Sequence, residues 1–349
     1  MDQMKDNNRQ SNFELLRIVL MLLIIAGHVT MYSGKLKDLG TTDYYLTNFL
    51  RSFTMVAVNA FVLLTGYFGT KRNWKKLMKL DLRVCFYTWV GFALAVTFGI
   101  HTINATKDIQ LLFPVISKQY WYTTIYFVLC IFSPYLNVFL ENVSEKMLKD
   151  AIYIGGGVLY IVATFCFLIN ANQIVMDAGY GIVNFVYLYC LGYYIRHYYV
   201  DRHGAAFYIG MYLLACLSTF AVNEGMSRIM GFYFNSMISY NTIFTLVGSI
   251  GLFMCFKHLE TKKNRFITWL AKHSFSVYLI HMCPMVGSYL FTTLLGVNNV
   301  GGANLIVKIL CLPFGIYFVS AVIDSAVDYL LTPIQEICLK VLSKVEKKT

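Results

Sequence analysis

The first apolar segment of the sequence carries three ionisable residues, Glu14, Arg17 and His28. A charge at the centre of a membrane helix costs about 2.5–3.5 kcal/mol to insert, so such residues are functional candidates. At about 100° per residue, Arg17 and His28 lie roughly 20° apart around a helix, and Glu14 lies about 60° from Arg17. The spacing predicts one polar face, with an anion site at Arg17 and a possible general base about 16 Å further along the axis.

A second histidine, His281, lies in a later apolar segment, roughly 14 Å from its start. We expect it either to act in catalysis or to position the substrate or His28. The alternative for this set is structural: Arg17 would extend to the lipid headgroups, and each histidine would make a hydrogen bond between helices. Arg51, in the second apolar segment, needs an anionic or carbonyl partner and could line the same cavity.

A basic run follows the second apolar segment and comprises Lys71, Arg72, Lys75, Lys76, Lys79 and Arg83. Such runs fix the orientation of a membrane protein and contact anionic lipids. They could also bind a phosphorylated cofactor, since Lys and Arg bind phosphate groups well. The predicted cofactor-binding residues are Arg17, Arg51, Lys71, Arg72 and Lys75. The predicted substrate-binding residues are Asn59, Trp121 and Tyr122, although the two aromatic residues could instead belong to an interfacial belt.

The elements that position these residues are transmembrane helices. The chain has 349 residues, of which 58% are hydrophobic and only 13% charged, about half the charged share of a soluble protein. The mean hydropathy is +0.58, and apolar stretches of about 20 residues, enough to cross a bilayer, recur along the chain. We therefore predict an all-α, polytopic membrane helical bundle with no second domain. The ten predicted spans are 15–33, 46–68, 81–100, 121–140, 151–170, 181–199, 205–222, 239–256, 273–294 and 303–331.

The basic residues predict the orientation of this bundle. If the N-terminus is cytoplasmic, 22 of the 29 Lys and Arg residues fall on the inner side and five on the outer side. This asymmetry predicts that both termini are cytoplasmic. The net charge of +11 lies in these loops, so we do not expect a nucleic acid partner. The nine cysteines stand singly without a Cys-x-x-Cys pair, so we expect neither a metal site nor a disulfide framework.

Four short motifs follow one another along the chain. The first helix carries an acidic-x-x-Arg-x10-His pattern at Glu14, Arg17 and His28. The segment 59–68 is similar to a Phe-x-x-x-Ser-Gly-[Phe/Tyr] stretch, with Thr65 in the place of the serine. An aromatic triplet occupies 120–122, and a Tyr-Leu-x-His motif occupies 278–281. With these motifs the whole chain resembles the acyltransferase-3 family of membrane acyltransferases, especially members that O-acetylate bacterial surface polysaccharides.

The resemblance implies a bundle of ten helices. It also implies that the cytoplasmic donor is an acyl-CoA, here acetyl-CoA, and that the acceptor is a glycan or a lipid-linked saccharide. It also implies that His28 is the essential catalytic histidine and that Arg17 binds the donor or acts in catalysis. Glu14 and His281 complete the expected catalytic set. We expect the protein to lie in the plasma or inner membrane of a bacterium, in contact with membrane lipids. The resemblance is compatible with an oligomer. Asp328 lies where many members have the glutamate of an Ile-Glu-x-Pro motif.

The alternative function is a transporter or flippase for a glycan intermediate, in which the buried polar residues would line a permeation path. The one-sided basic loops, the lack of internal repeats and the clustering of polar residues on one helix face disfavour it. Consumption of acetyl-CoA in the presence of a glycan acceptor would separate the enzyme from the transporter.

Overall fold

Helices form the whole fold in the part of the chain that the structure describes. The computed structural model describes residues 11–175 and 177–346, with side chains up to residue 340, and these residues contain no strand. The eleven principal helices are α1 Ser11–Tyr32, α2 Thr42–Ser52, α3 Ala57–Phe68, α4 Trp74–Thr97, α5 Trp121–Asn142, α6 Glu145–Leu168, α7 Ile182–His197, α8 Ala205–Met230, α9 Ile243–Lys257, α10 Arg265–His281 and α11 Gly302–Glu346. Short helical turns occupy Lys35–Lys37, Ala105–Asp108, Ile109–Leu112, Ser236–Ile238, Gly287–Tyr289, Leu290–Leu294 and Val297–Asn299.

The all-helical membrane fold is confirmed. Among the described residues, eight helical segments are long and apolar enough to cross a membrane. Each of the ten predicted spans coincides with helix, but α7 and α10 have only 16 and 17 residues. The count of ten crossings therefore stays a prediction, as does the cytoplasmic position of the termini. Four of the basic residues counted for that orientation lie outside the described residues: Lys5, Arg9, Lys347 and Lys348.

Most predicted boundaries differ from the observed ones by several residues, and two of the predicted spans are interrupted. The span 46–68 is two helices, α2 and α3, separated by a turn in which the Thr54 hydroxyl donates to the Arg51 carbonyl at 2.8 Å. A threonine hydroxyl competes in this way with the helical hydrogen bonds of the backbone. The span 273–294 begins earlier, because Asn264 caps the start of α10. It is interrupted after His281, where Pro284 prevents the helix from continuing.

Helix α1 lies at the centre of the bundle, between two apolar clusters. Phe13, Leu16 and Leu20 pack into one cluster with α3, α5, α6, α7, α8 and α9. Ile18 and Ile25 pack into the other cluster with α4, α10 and α11. The remaining face of α1 is left for the polar residues, so the position of Arg17 and His28 follows from how this helix is buried.

Close contact between α3 and α7 completes the wall beside α1. Gly66 of α3 faces the backbone of Tyr189, and Gly192 of α7 faces the backbone of Leu63, with no space for a methyl group at either glycine. Small residues allow two helix backbones to approach closely. In a membrane, where the hydrophobic effect does not drive helices together, the resulting van der Waals packing holds them in contact. The second half of α3 therefore packs directly on the backbone of α7.

Candidate active site

Arg17 and His28 line the same cavity. This cavity has a volume of about 810 Å³, and its wall is formed by residues of α1, α2, α3, α4, α5 and α10 and of the loops before α7 and α9. The eleven residues between Arg17 and His28 correspond to about 16 Å along α1. The cavity therefore extends through a large part of the bundle, as the shared helix face predicts.

The cavity has a basic end and an aromatic end. The basic end comprises Arg17, Lys71, Lys76 and Lys272, and the aromatic end comprises Trp121, Tyr180 and Tyr240. No Asp or Glu is among the described residues that line the cavity. The charged side chains of the described lining are therefore all cationic, which favours an anionic ligand at the basic end.

Helices α3 and α5 set the distance between these ends. Asn59, in the first turn of α3, donates to the carbonyl of Tyr240 at 2.7 Å. Beyond the last turn of α3, the carbonyl of Thr70 accepts from Asn137 at 2.7 Å. Asn137 lies sixteen residues after Trp121 on α5, which corresponds to about 24 Å. The basic and aromatic ends therefore lie on opposite sides of the bundle.

The two histidines contact each other. Nδ1 of His281 lies 2.6 Å from the carbonyl oxygen of Val277, so this nitrogen carries a proton and donates it. Nε2 of the neutral His281 ring must then accept, and it lies 3.2 Å from Nδ1 of His28. The hydrogen bonds therefore place the proton of neutral His28 on Nδ1 and leave its Nε2 free to accept a proton.

Arg51 lies next to His28. Its Nη1 donates to the carbonyl of Gly27 at 3.3 Å and lies 3.5 Å from the hydroxyl of Thr30. Its Nε is buried and has no hydrogen-bond partner among the described residues. Arg51 lines the cavity and places a positive charge beside His28. Its contact with the Gly27 carbonyl is the kind of partner that the sequence predicts for an arginine in an apolar segment.

The basic run divides into residues that line the cavity and residues that do not. Lys71 and Lys76 line it. Arg72 instead packs over the rings of Trp74 and Tyr135, at 5.5 and 5.8 Å from their centres. Lys75 is exposed and is not part of the lining. Among the predicted cofactor-binding residues, Arg72 and Lys75 thus lie away from the cavity, because the helical turn at the start of α4 directs them elsewhere.

Three other predicted site residues are buried behind the cavity wall. Glu14 accepts a hydrogen bond from Thr268 at 2.7 Å, which joins α1 to α10. His281 is fully buried and reaches the site only through His28. Asn59 is fully buried and holds the backbone of Tyr240. Glu14, Asn59 and His281 therefore lie outside the lining of the cavity, and His281 contacts it through the ring of His28.

Trp121 and Tyr122 both line the cavity. Trp121 stacks on Tyr240 with ring centres 5.4 Å apart and meets the ring of Tyr180 at 4.6 Å. Tyr122 lies between Trp121 and Tyr278, at 5.9 and 6.2 Å. These contacts join the aromatic end to the helix that carries His281, and they are inconsistent with an interfacial belt that faces lipid.

A buried ionic cluster beside the basic end was not predicted as a site. Asp324 accepts from Arg83, from the Tyr87 hydroxyl at 2.6 Å and from His273 at 2.6 Å. Asp328 pairs with Arg83 and with Lys272. His273, Asp324 and Asp328 lie close enough together to hold a metal ion, but Arg83 already supplies the positive charge. The sequence does contain a sign of this cluster, because Asp324 and Asp328 are spaced four residues apart within an apolar span and so share one helix face.

Comparison with known proteins gives one match. Residues 10–324 match a family model that is described as an acyltransferase domain. No curated protein and no solved structure matches the chain. The matched region contains every residue named above for the cavity and for the histidine pair.

Proposed function

The chain belongs to the acyltransferase-3 family, and from this premise we propose that it transfers an acetyl group from acetyl-CoA to a hydroxyl of a glycan or lipid-linked saccharide. One observation carries the proposal: Arg17 and His28 line a single cavity with a basic end and an aromatic end. We place the reaction in the plasma or inner membrane of a bacterium, with the basic end toward the cytoplasm.

The donor binds from the basic end in this proposal. Acyl-CoA carries several phosphate groups, and the basic end presents Lys71, Lys76, Lys272 and Arg17, of which Lys272 also pairs with Asp328 behind the lining. The long pantetheine arm then extends along the cavity toward His28. CoA itself stays on the side from which it entered.

The chemistry takes place at His28. Nε2 of His28 accepts the proton of the acceptor hydroxyl as its oxygen attacks the thioester carbonyl carbon. A carbon–oxygen bond forms, the carbon–sulfur bond breaks, and the leaving thiolate takes the proton back from His28. His281 stabilises the protonated His28 by accepting from Nδ1. Arg51, beside Gly27, can stabilise the negative charge that develops on the carbonyl oxygen.

The test is an assay of the purified protein in lipid nanodiscs with acetyl-CoA and saccharide acceptors, in which released CoA and the acetylated acceptor are measured. We expect His28→Ala to abolish transfer, a loss of at least about 10²-fold, while expression and thermal unfolding remain as in the wild type. Full transfer by that variant would overturn the mechanism. Movement of a lipid-linked saccharide across the membrane without CoA release would instead identify a transporter.

A further inference from the structure

The aromatic end of the cavity is built from two loops and one helix start. Tyr180 belongs to the loop before α7, Tyr240 to the loop before α9, and Trp121 is the first residue of α5. Their rings are in mutual contact, with centres 4.6 Å apart for Trp121 and Tyr180, 4.7 Å for Tyr180 and Tyr240, and 5.4 Å for Trp121 and Tyr240. All three line the cavity.

Buried amides hold these loops in place. Asn184 donates to the carbonyl of Gly179 at 2.9 Å and to the side-chain oxygen of Asn59 at 3.3 Å. Asn59 in turn donates to the carbonyl of Tyr240. The loops also bond to each other, since the N–H of Tyr240 donates to the carbonyl of Ala178 at 3.0 Å. The rings are therefore presented by a rigid frame rather than by mobile loops.

We propose that Trp121, Tyr180 and Tyr240 form the acceptor subsite, on which the apolar face of a pyranose ring packs so that a ring hydroxyl is presented to His28. A pyranose offers C–H groups on its faces and hydroxyls at its rim, which suits an aromatic surface with a few polar groups beside it. Arg51, which lines the same cavity, supplies a guanidinium donor for an oxygen of the sugar. This inference rests on the proposed function.

The experiment compares acceptors with similar hydroxyls but different shapes. Methyl glucoside and methyl galactoside are tested against the open-chain polyols sorbitol and galactitol, with acetyl-CoA as the donor. We expect kcat/KM to be at least tenfold higher for the glycosides, because only they have a ring face. In Tyr180→Leu and Tyr240→Leu this preference should fall severalfold through a higher KM for the glycoside, with the KM for acetyl-CoA unchanged. Tyr180→Phe and Tyr240→Phe, which keep the ring, should retain the preference.

Other outcomes separate the two proposals. Equal use of glycosides and polyols, or a preference that the leucine variants leave intact, overturns the acceptor subsite but not acyl transfer. Cleavage of acetyl-CoA without acetylation of any glycoside also overturns the subsite. A wild-type protein that never cleaves acetyl-CoA overturns the proposed function. Saturation-transfer NMR on the wild type, irradiated at aromatic protons, should give signal on the C–H protons of methyl glucoside, which addresses binding without a variant that could misfold.

Discussion

At the scale of single residues, His281 is hydrogen-bonded to His28, which lines the cavity, although His281 itself does not. Its bond to the Val277 carbonyl fixes which nitrogen carries the proton, and this in turn fixes the direction of the bond to His28. The helix that carries Val277 and His281 therefore determines which nitrogen of His28 is left without a proton, and in the proposed mechanism that nitrogen is the base. His281 thus joins His28 of α1 to the Val277 carbonyl of α10 in one chain of hydrogen bonds.

Substitution of His281 should separate positioning from binding. We expect His281→Leu, which cannot accept from Nδ1 of His28, to lower kcat about 10²-fold with little change in the KM for acetyl-CoA. His281→Gln should retain more activity, since its amide oxygen can accept the same bond. Steady-state kinetics of both variants test this. An equal loss in the two variants, or a loss confined to KM, would show that His281 does not orient His28.

Asp201, in the loop between α7 and α8, gives a prediction about pH. Burial raises the pKa of its carboxyl, but the hydrogen bonds from Tyr208, the His203 N–H and His258, together with the charge of Lys257, outweigh burial and lower the pKa to about 2. A carboxyl with a lowered pKa stabilises the fold at pH values above its unfolded pKa of about 4, and this stabilisation is lost as the pH falls toward 2.

Asp201→Asn should therefore lower the free energy of unfolding at pH 7 by roughly 1.5–3 kcal/mol. The difference between this variant and the wild type should shrink as the pH is lowered from 4 to 2. Thermal unfolding in detergent across that range measures it. The control is Asp150→Asn, at an exposed aspartate of α6, and a difference that persists undiminished at pH 2 would count against the assigned ionic contacts.

At the scale of helices, the ionic cluster joins α4, α10 and α11. Arg83 comes from α4, His273 from α10, and Asp324 from α11, where its side chain is fully buried. Removal of one partner from a buried ion pair leaves a charge without compensation. The cluster thus holds α10, the helix that carries His281, against α4 and α11.

We expect Asp324→Asn to destabilise the protein by about 3 kcal/mol or more. The matched variant is Asp328→Asn, which removes a carboxylate that binds the same Arg83 but is partly exposed, at 22%. That change should cost about 1 kcal/mol or less. Thermal unfolding of the two proteins side by side gives the comparison, and equal losses of stability would mean that burial does not set the contribution of this cluster.

The helices themselves were predictable from the sequence, and parts of the site were not. Each span predicted from apolar length coincides with helix, and a rotation of about 20° placed Arg17 and His28 in one cavity. Glu14, about 60° away, instead faces α10, where it accepts from Thr268. Helix periodicity alone could not show this, because it does not tell which part of a polar face lines a cavity and which part contacts a neighbouring helix. Arg83 looked like one more residue of a basic run, because its partners on α11 lie more than 240 residues away in the sequence.

At the scale of the whole molecule, the cavity is asymmetric in charge. Four of the cations that line it lie at the basic end, whereas Arg51 and His28 lie further along the axis. A polyanionic donor is attracted to the basic end, and this attraction weakens as salt screens it. The same asymmetry gives the proposed reaction a direction, with the donor entering at one end and the acceptor at the other.

Two neighbouring lysines on α4 test this directly. Lys76 lines the cavity and Lys75 does not, although both are exposed and carry the same charge. We expect Lys76→Ala to raise the KM for acetyl-CoA severalfold and to weaken its dependence on salt, since one charge-assisted contact with a phosphate is lost. Lys75→Ala should leave both unchanged, because its charge faces away from the path of the donor. If the two variants raise the KM for acetyl-CoA equally, the basic residues attract the donor only through their summed surface charge. In that case the donor does not enter through the cavity mouth at Lys76.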